Sequence, residues 1–430
     1  MALLPSAAWL SPWLATPAVP AVAGPKRAVF ATLPFGIVLT VVGLALLAVA
    51  VFWLTKRRSH VKGRGPLRRI AFTAGALSLV LGLAATANWY AGWIPNLEAA
   101  RIRLGFGPSS RTDSELARHA PATSELGSQP IAGPGTPLAT PSPQPSSATV
   151  PKGAADSFEL PAPADLNLAS TTVWIYTPPG YDPSGRVAYP AIYMIHGSPG
   201  SPQDWIASGG ADILDQMIAA GELAPVVAVF PSVKARGAVD SGCLDSTKPG
   251  GSQVETYLYQ VVKPWVEHHF PVSTDRRANA IAGMSMGGYC AIDQGLRHPD
   301  QFATVLALMP YGSPGAGGEN MKSNQAEIDA VTPLKYVSTI EGLEDYPIAA
   351  WFAIPGAEED GEVGRDSRTM SQALQDRDQV TEVIVAPGQA HTWRMAVAVL
   401  PQGLAFWQAQ LDRIAHVSPA DPPMQPPRGS

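Results

Sequence analysis

The 430-residue chain is long enough for one large α/β domain and further segments. A net charge of -5, with 15% charged residues, leaves no basic surface for nucleic acid. Two cysteines exclude a disulfide-rich scaffold and any four-cysteine metal site, while 43 prolines and 40 glycines point to stretches that build no core.

Residues 1–27 read as an extracytoplasmic N-terminal segment, apolar but broken by Pro5, Pro12, Pro17 and Pro20. Ala21-Val22-Ala23 has the form of a signal-peptidase site, without the basic start that usually precedes one. Residues 28–54 carry no charge over 27 positions, which as a helix exceeds a hydrocarbon layer of about 30 Å. This predicts a first transmembrane helix. A second, 70–94, ends in Trp89, Tyr90 and Trp93, rings suited to a membrane interface. The loop between them, 55–69, holds Lys56, Arg57, Arg58, Lys62, Arg64, Arg68 and Arg69, whereas only Lys26 and Arg27 precede the first helix. The excess of cations puts that loop in the cytoplasm, and the N-terminus and everything after residue 94 outside. With no charge inside either helix, a transporter is excluded.

Residues 95–155 read as a Pro/Ser/Ala-rich linker, with Gly133-Pro134-Gly135-Thr136-Pro137 and Thr140-Pro141-Ser142-Pro143-Gln144-Pro145 unable to sustain helix or sheet. At about 3 Å per residue it would hold the next domain anywhere from the bilayer surface to far above it.

The folded domain is expected over 156–415. Strands are predicted at 172–176, 191–195, 226–230, 278–282, 304–308, 349–354 and 382–385, several of them apolar throughout, as parallel strands covered on both faces are. Helices are predicted at 211–220, 252–269, 289–298, 368–377 and 391–414. This alternation predicts a mostly parallel, doubly covered α/β sheet. The tail, 416–430, is proline-rich and expected to be disordered.

Within that domain, R-A-N-A-I-A-G-M-S-M-G-G-Y-C-A, from Arg277 to Ala291, reads as strand, sharp turn and helix, with Ser285 at the turn between Gly283 and Gly287. This G-x-S-x-G pattern throws a serine hydroxyl out above the sheet edge, and glycines flank it because side chains would clash across so tight a bend. A serine needs a base. Of eight histidines, His60, His119 and His416 fall in the cytoplasmic loop, the linker and the tail, and His268, His269 and His298 end helices. His196 ends a strand that leads into a glycine loop. His391 remains, in the turn after the last strand, where an α/β-hydrolase carries its base. The orienting acid belongs in the loop Pro355-Gly356-Ala357-Glu358-Glu359-Asp360-Gly361-Glu362: counting from Gly356 favours Glu359, and counting back from Met370 favours Asp360. Oxyanion donors are expected from the backbone N–H groups of Met286 and of Ser198 in the loop His196-Gly197-Ser198-Pro199-Gly200.

The segments Y-M-I-H-G-S-P-G-S-P-Q-D-W, G-M-S-M-G-G-Y and P-G-Q-A-H-T-W resemble the putative esterase family of α/β-hydrolases, which includes mycolyltransferases, S-formylglutathione hydrolases and enterochelin esterases. The resemblance covers residues 156–415. It implies a triad of Ser285, His391 and an acid, with oxyanion donors at Ser198 and Met286, and both hydrolases and acyl carriers share it.

Cys243, in the loop 240–245, and Cys290, five residues past Ser285, are expected near one sheet edge on the outward side, where a disulfide between them can form. The acidic loops 240–245 and 358–362 could border the pocket and suit a cationic acyl group such as an aminoacyl ester; a solvated loop or a calcium site would give the same composition. The expectation is a membrane-anchored, outward-facing serine esterase acting on a lipid or cell-envelope ester, with no metal or other cofactor. A sugar or lipid alcohol as acceptor would make it an acyltransferase. A non-catalytic envelope-binding protein on the same fold would lack a triad residue.

Overall fold

The computed structural model describes residues 27–55, 64–104, 150–160 and 162–416. Expectations for residues 1–26, including cleavage at Ala23, for Lys56 to Lys62, for 105–149 and for the tail beyond His416 lie outside these residues.

Helices α1 (Leu33–Thr55) and α2 (Arg64–Ala91) form an antiparallel hairpin. Their stretches Leu33–Phe52 and Arg69–Ala91 are long and apolar enough to cross a membrane. Both limits differ from the sequence expectation. Val29–Ala31 form a 3-10 turn ahead of α1, and Arg64, Arg68 and Arg69 belong to the first turns of α2, arginine being a good helix former. Glycines let the helices touch backbone to backbone: a Cβ on Gly43 would lie 2.5 Å from Leu79 N, and one on Gly82 would lie 2.5 Å from Thr40 N.

The open end of the hairpin is tied to residues 94–96. Ala28 N–H donates to Pro95 O (2.8 Å), and the Asn88 side chain accepts from Ile94 N and donates to Ile94 O, both at 2.8 Å. Helix α3 (Leu97–Arg103) then begins, capped by Asn96, whose side chain accepts from Ala99 N at 2.9 Å. This corrects the expected linker, whose first residues are a docked helix. Ala99 and Ile102, three apart and so on one face, join the core of the following domain beside Trp205 and Met217. Burying Ile102 stabilises that contact by about 2 kcal/mol. Seven residues with two buried positions carry too little periodicity to stand out in a sequence.

The domain contains strands β1 (Ala154–Glu159), β2 (Thr172–Thr177), β3 (Ala191–Ile195), β4 (Val227–Pro231), β5 (Asn279–Met284), β6 (Thr304–Leu308), β7 (Ala349–Pro355) and β8 (Val380–Ala386). They form one sheet in the order β1-β2-β4-β3-β5-β6-β7-β8. The β1–β2 and β2–β4 pairs are antiparallel and the rest parallel. Period-2 alternation splits each inner strand between two cores. On β3, Tyr193 and Ile195 face one core and Ile192 and Met194 the other.

Helices α4 (Gln203–Ala207) and α5 (Gly210–Ala220) follow β3. After β4, α6 (Val254–Tyr257) continues through a π turn (Leu258–Val262) into α7 (Lys263–His269). Helix α8 (Met286–Arg297) follows β5, and three short helices follow β6: α9 (Gly315–Met321), α10 (Gln325–Asp329) and α11 (Pro333–Tyr336). Helix α12 (Glu362–Gln375) precedes β8, and α13 (Trp393–His416) closes the domain. Side chains of α6, α7 and α8 fill one core, whereas α3, α5 and α13 cover the opposite face of the sheet.

Candidate active site

Strand β5 is buried along its length and stops at Ser285, which takes φ 59° and ψ -121° before α8 opens. Positive φ is strained for a residue with a side chain. The turn is held by Ser285 N–H donating to Leu308 O on β6 (2.9 Å) and by Tyr289 N–H donating to Ser285 O (3.0 Å). The two glycines of the pattern have separate steric causes. A Cβ on Gly283 would overlap the carbonyl of Gly287, and one on Gly287 would overlap Ile195 O at the end of β3.

Beside the elbow, β3 runs into the loop 196–200. The His196 Nδ1 lies 2.8 Å from Gly197 O, and its Nε2 accepts from Val233 N–H at 3.4 Å, so the proton sits on Nδ1. Burial lowers the His196 pKa to about 4, against the smaller opposing effects of the Gly197 hydrogen bond and Asp204. This histidine is neutral and holds the loop. Gly197 lies over the nucleophile, since a Cβ there would stand 3.5 Å from Ser285 Cβ. Ser198 Oγ donates to Val239 O (2.9 Å), and Ser198, Ser285 and Met286 line one cavity of about 320 Å³. Met286 is the first residue of α8, so its N–H is one of the helix's four without an intrahelical acceptor.

His391 stands in the turn after β8. Its Nδ1 lies 3.1 Å from Glu358 Oε2, while its Nε2 is buried with no hydrogen-bond partner in the protein. Tyr311 stacks on the ring (centroids 5.7 Å apart, 21° between planes) and also lines the cavity with Ser285. Ser285 thus lines the cavity itself, whereas His391 reaches it through Tyr311, which lies between the histidine ring and the cavity.

The carboxylate on His391 is Glu358, which corrects the expectation of Asp360 or Glu359. After β7 the chain makes a 3-10 turn, Gly356–Glu358, where successive side chains point about 120° apart, so neighbouring acids cannot share a target. Glu358 faces β8, helped by Ala357 N–H donating to Gln389 O (3.0 Å). Glu359 pairs with Arg368 (3.1 Å), and Asp360 is exposed, its carbonyl accepting from Arg365 Nη1 (2.8 Å). Adjacent acids look alike in sequence, and only the turn separates them.

Cys243 and Cys290 form a disulfide, Cα atoms 5.7 Å apart, that fastens the 240–245 loop to α8. From that loop Asp240 lines the cavity, with burial raising its pKa against the lowering effect of the Gly242 N–H. Glu362 lines it as well, at the first position of α12. The cavity residues Tyr311, Ser313, Pro314, Gly315 and Ala316 escape sequence reasoning. Tyr311 and Ser313 belong to no motif, and their loop is pinned by Gly312 N–H donating to Asp366 Oδ2 (2.9 Å). Among the described residues, no group of three or more His, Cys, Asp or Glu could hold a metal ion.

An uncharacterized protein of Corynebacterium glutamicum is 27% identical over 267 residues, covering 56% of this chain and 61% of its own length. An esterase of Mycobacterium tuberculosis is 30% identical over 131 residues, covering 30% of this chain and 27% of its own length. The chain therefore spans less than two thirds of these curated relatives. Among solved structures, a ferulic acid esterase superposes with a TM-score of 0.52 at 24% identity, over 60% of this chain and 99% of that one. An S-formylglutathione hydrolase from Agrobacterium tumefaciens gives 0.51 at 18%, over 62% and 98%. These likenesses show the α/β-hydrolase fold. Residues 168–412 match the family described as putative esterase, more than half of the sequence, and the chain belongs to that family.

Proposed function

We propose that this protein is a serine esterase anchored in the cytoplasmic membrane by α1 and α2, with its active site outside the cell, acting on a lipid or cell-envelope ester. The observation that carries the reading is Ser285 on its strained elbow, opening into a cavity also lined by Tyr311, on which the ring of the Glu358-paired His391 stacks. Ser285 Oγ attacks the acyl carbon as its proton passes to His391 Nε2, the nitrogen left free by Glu358. The oxyanion is received by the N–H groups of Ser198 and Met286. The leaving alcohol takes the proton from Nε2. Water then gives a proton to Nε2 and attacks the acyl-enzyme, and as the acid leaves, Nε2 returns that proton to Ser285 Oγ, restoring the hydroxyl.

The outward placement is supported by the cationic residues Lys56 to Arg69 between the two apolar stretches and by the disulfide, which belongs to an oxidising compartment. Among the described residues, the charged side chains lining the cavity, Asp240 and Glu362, are both acidic, which favours an acyl group bearing a cation, such as an aminoacyl ester.

The test is fluorophosphonate labelling of membranes containing the full chain, followed by hydrolysis of a panel of esters. Wild type should label, and Ser285→Ala and His391→Ala should not. Folded wild type that stays unlabelled would remove the esterase reading. Cationic acyl esters should exceed their anionic counterparts by roughly tenfold in kcat/KM, and equal rates would remove the cationic preference alone. Products retained as new esters when a sugar or lipid alcohol is added would instead show acyl transfer.

A further inference from the structure

The anchor does more than lie near the active site; it is wired into the loop that faces the nucleophile. Arg103, the last residue of α3, donates from Nη1 to Asp204 Oδ1 at 2.5 Å and from Nε to Trp93 O at 2.9 Å. Asp204 is 4% exposed and lies beneath the loop 197–201. Its Oδ2 accepts from Ser201 N–H at 2.9 Å, and its Oδ1 takes the Ser201 hydroxyl at 3.2 Å. A Cβ on Gly200 would come within 3.0 Å of the same Oδ2 and would overlap Gly197 O, so the loop is folded tightly onto this carboxylate.

The next residue, Trp205, donates from Nε1 to Ile195 O (3.1 Å), at the root of the loop. Its ring meets Trp393, two residues past His391, edge to face at 4.9 Å. From the other side, α2 reaches the same place. Arg394 lies over the Trp89 ring at 4.4 Å, and a Cβ on Gly92 would stand 2.7 Å from Arg394 N. Both halves of the site, the loop carrying Ser198 and the turn carrying His391, therefore rest on residues that the anchor touches.

We propose that Arg103 is a positioning residue: by neutralising the buried Asp204 it fixes the 197–201 loop, and with it the Ser198 N–H, in the geometry that receives the oxyanion. This rests on the esterase reading above. Without the guanidinium, Asp204 is a buried, uncompensated carboxylate. A buried carboxylate without its countercharge shifts toward solvent, and that displaces the acceptor that holds Ser201. The consequence belongs to the transition state, because the ground-state carbonyl makes little use of the oxyanion donors.

The test measures hydrolysis of a soluble, short-chain neutral ester by the full chain in detergent, with rates expressed per site titrated by fluorophosphonate so that misfolded protein does not count. A small soluble ester removes any effect of reaching the bilayer. Arg103→Ala should lower kcat roughly tenfold with KM unchanged, since a donor displaced costs less than a donor deleted. Arg103→Lys, which keeps the charge, should recover most of the rate. A kcat per site within about twofold of wild type in Arg103→Ala, or a loss confined to KM, would overturn the proposal. If Arg103→Ala yields no titratable sites, Arg103→Gln decides, because it keeps the packing stem without the charge: equal rates for the Gln and Lys variants overturn the proposal, and a slower Gln variant supports it. Folded wild type that neither labels nor hydrolyses refutes the esterase reading and this one together, whereas active wild type with indifferent Arg103 variants refutes only the positioning role.

Discussion

Ser285 and His391 were legible because each is fixed by pattern and place: a serine between glycines after an apolar strand, and a histidine in the turn after the last strand. Glu358 was not, because its distinction from Glu359 and Asp360 is one of direction. All three lie within a short path from β7, and a 3-10 turn assigns Glu358 to His391 and leaves Glu359 to Arg368. This makes a sharp prediction. Glu358→Gln should lower kcat/KM by at least about 100-fold, since the amide cannot stabilise the imidazolium or hold its tautomer. Glu359→Gln and Asp360→Asn should stay within about twofold. A large loss in either of those two, with Glu358→Gln active, would mean that the His391–Glu358 pair does not survive substrate binding.

The seven strands that are buried or half-buried and apolar were readable from their runs, and the parallel pairing of β3 to β8 suits the alternation of strands with helices, whereas the antiparallel place of β2 beside β4 is not marked in the sequence. Strand β1 was hidden because its sequence, Ala-Ala-Asp-Ser-Phe-Glu, contains no β-branched residue and gains its place by pairing with β2 at the sheet edge. Helix α8 brings an element-scale consequence of its own. At its C-terminal end Arg297 forms a two-pronged bond to Glu255 of α6 (2.8 and 2.7 Å) and also meets Asp293 (2.7 Å), while His298 Nε2 lies 2.8 Å from Glu255. Burial would raise the Glu255 carboxyl, but the hydrogen bonds of His298 and Arg297 outweigh it and hold its pKa at about 2. The folded value is below the unfolded one of 4.5. The stability this pairing contributes is therefore complete above pH 4.5 and is lost as pH falls toward 2, with a slope of up to about 1.4 kcal/mol per pH unit. Thermal melts between those limits should show the loss in wild type, and Glu255→Gln should flatten it while lowering stability at neutral pH. An unchanged acid limb in Glu255→Gln would assign the loss to other carboxylates.

For the whole molecule, the sequence offered two bodies on a tether, and the structure offers one. The hairpin α1–α2 ends in contact with Arg394, α3 sets Ala99 and Ile102 into the domain core, and Arg103 closes on Asp204. Composition could not reveal this, because docking depends on a few contacts between segments far apart in the sequence. The same arrangement changes what the segment between Leu104 and Val150 is. Leu104 follows docked α3, and just beyond Val150 the Gly153 N–H donates to Asp215 Oδ1 (2.8 Å), so both ends are fastened to the same body. If α1 and α2 cross a membrane as proposed, the length of chain between these two ends does not set the height of the domain above it. Joining two fastened ends closes a loop, at a cost in the chain entropy of bringing them together. That cost grows with the logarithm of length, so removing half of residues 105–149 should raise stability by about 0.6 kcal/mol and leave ester hydrolysis unchanged. A shortened chain that lost activity on membrane esters while keeping it on soluble ones would restore the tether; one that melted slightly higher and worked as before would mean that, in the proposed anchored protein, the distance from the bilayer is set by α3 and not by the proline-rich stretch.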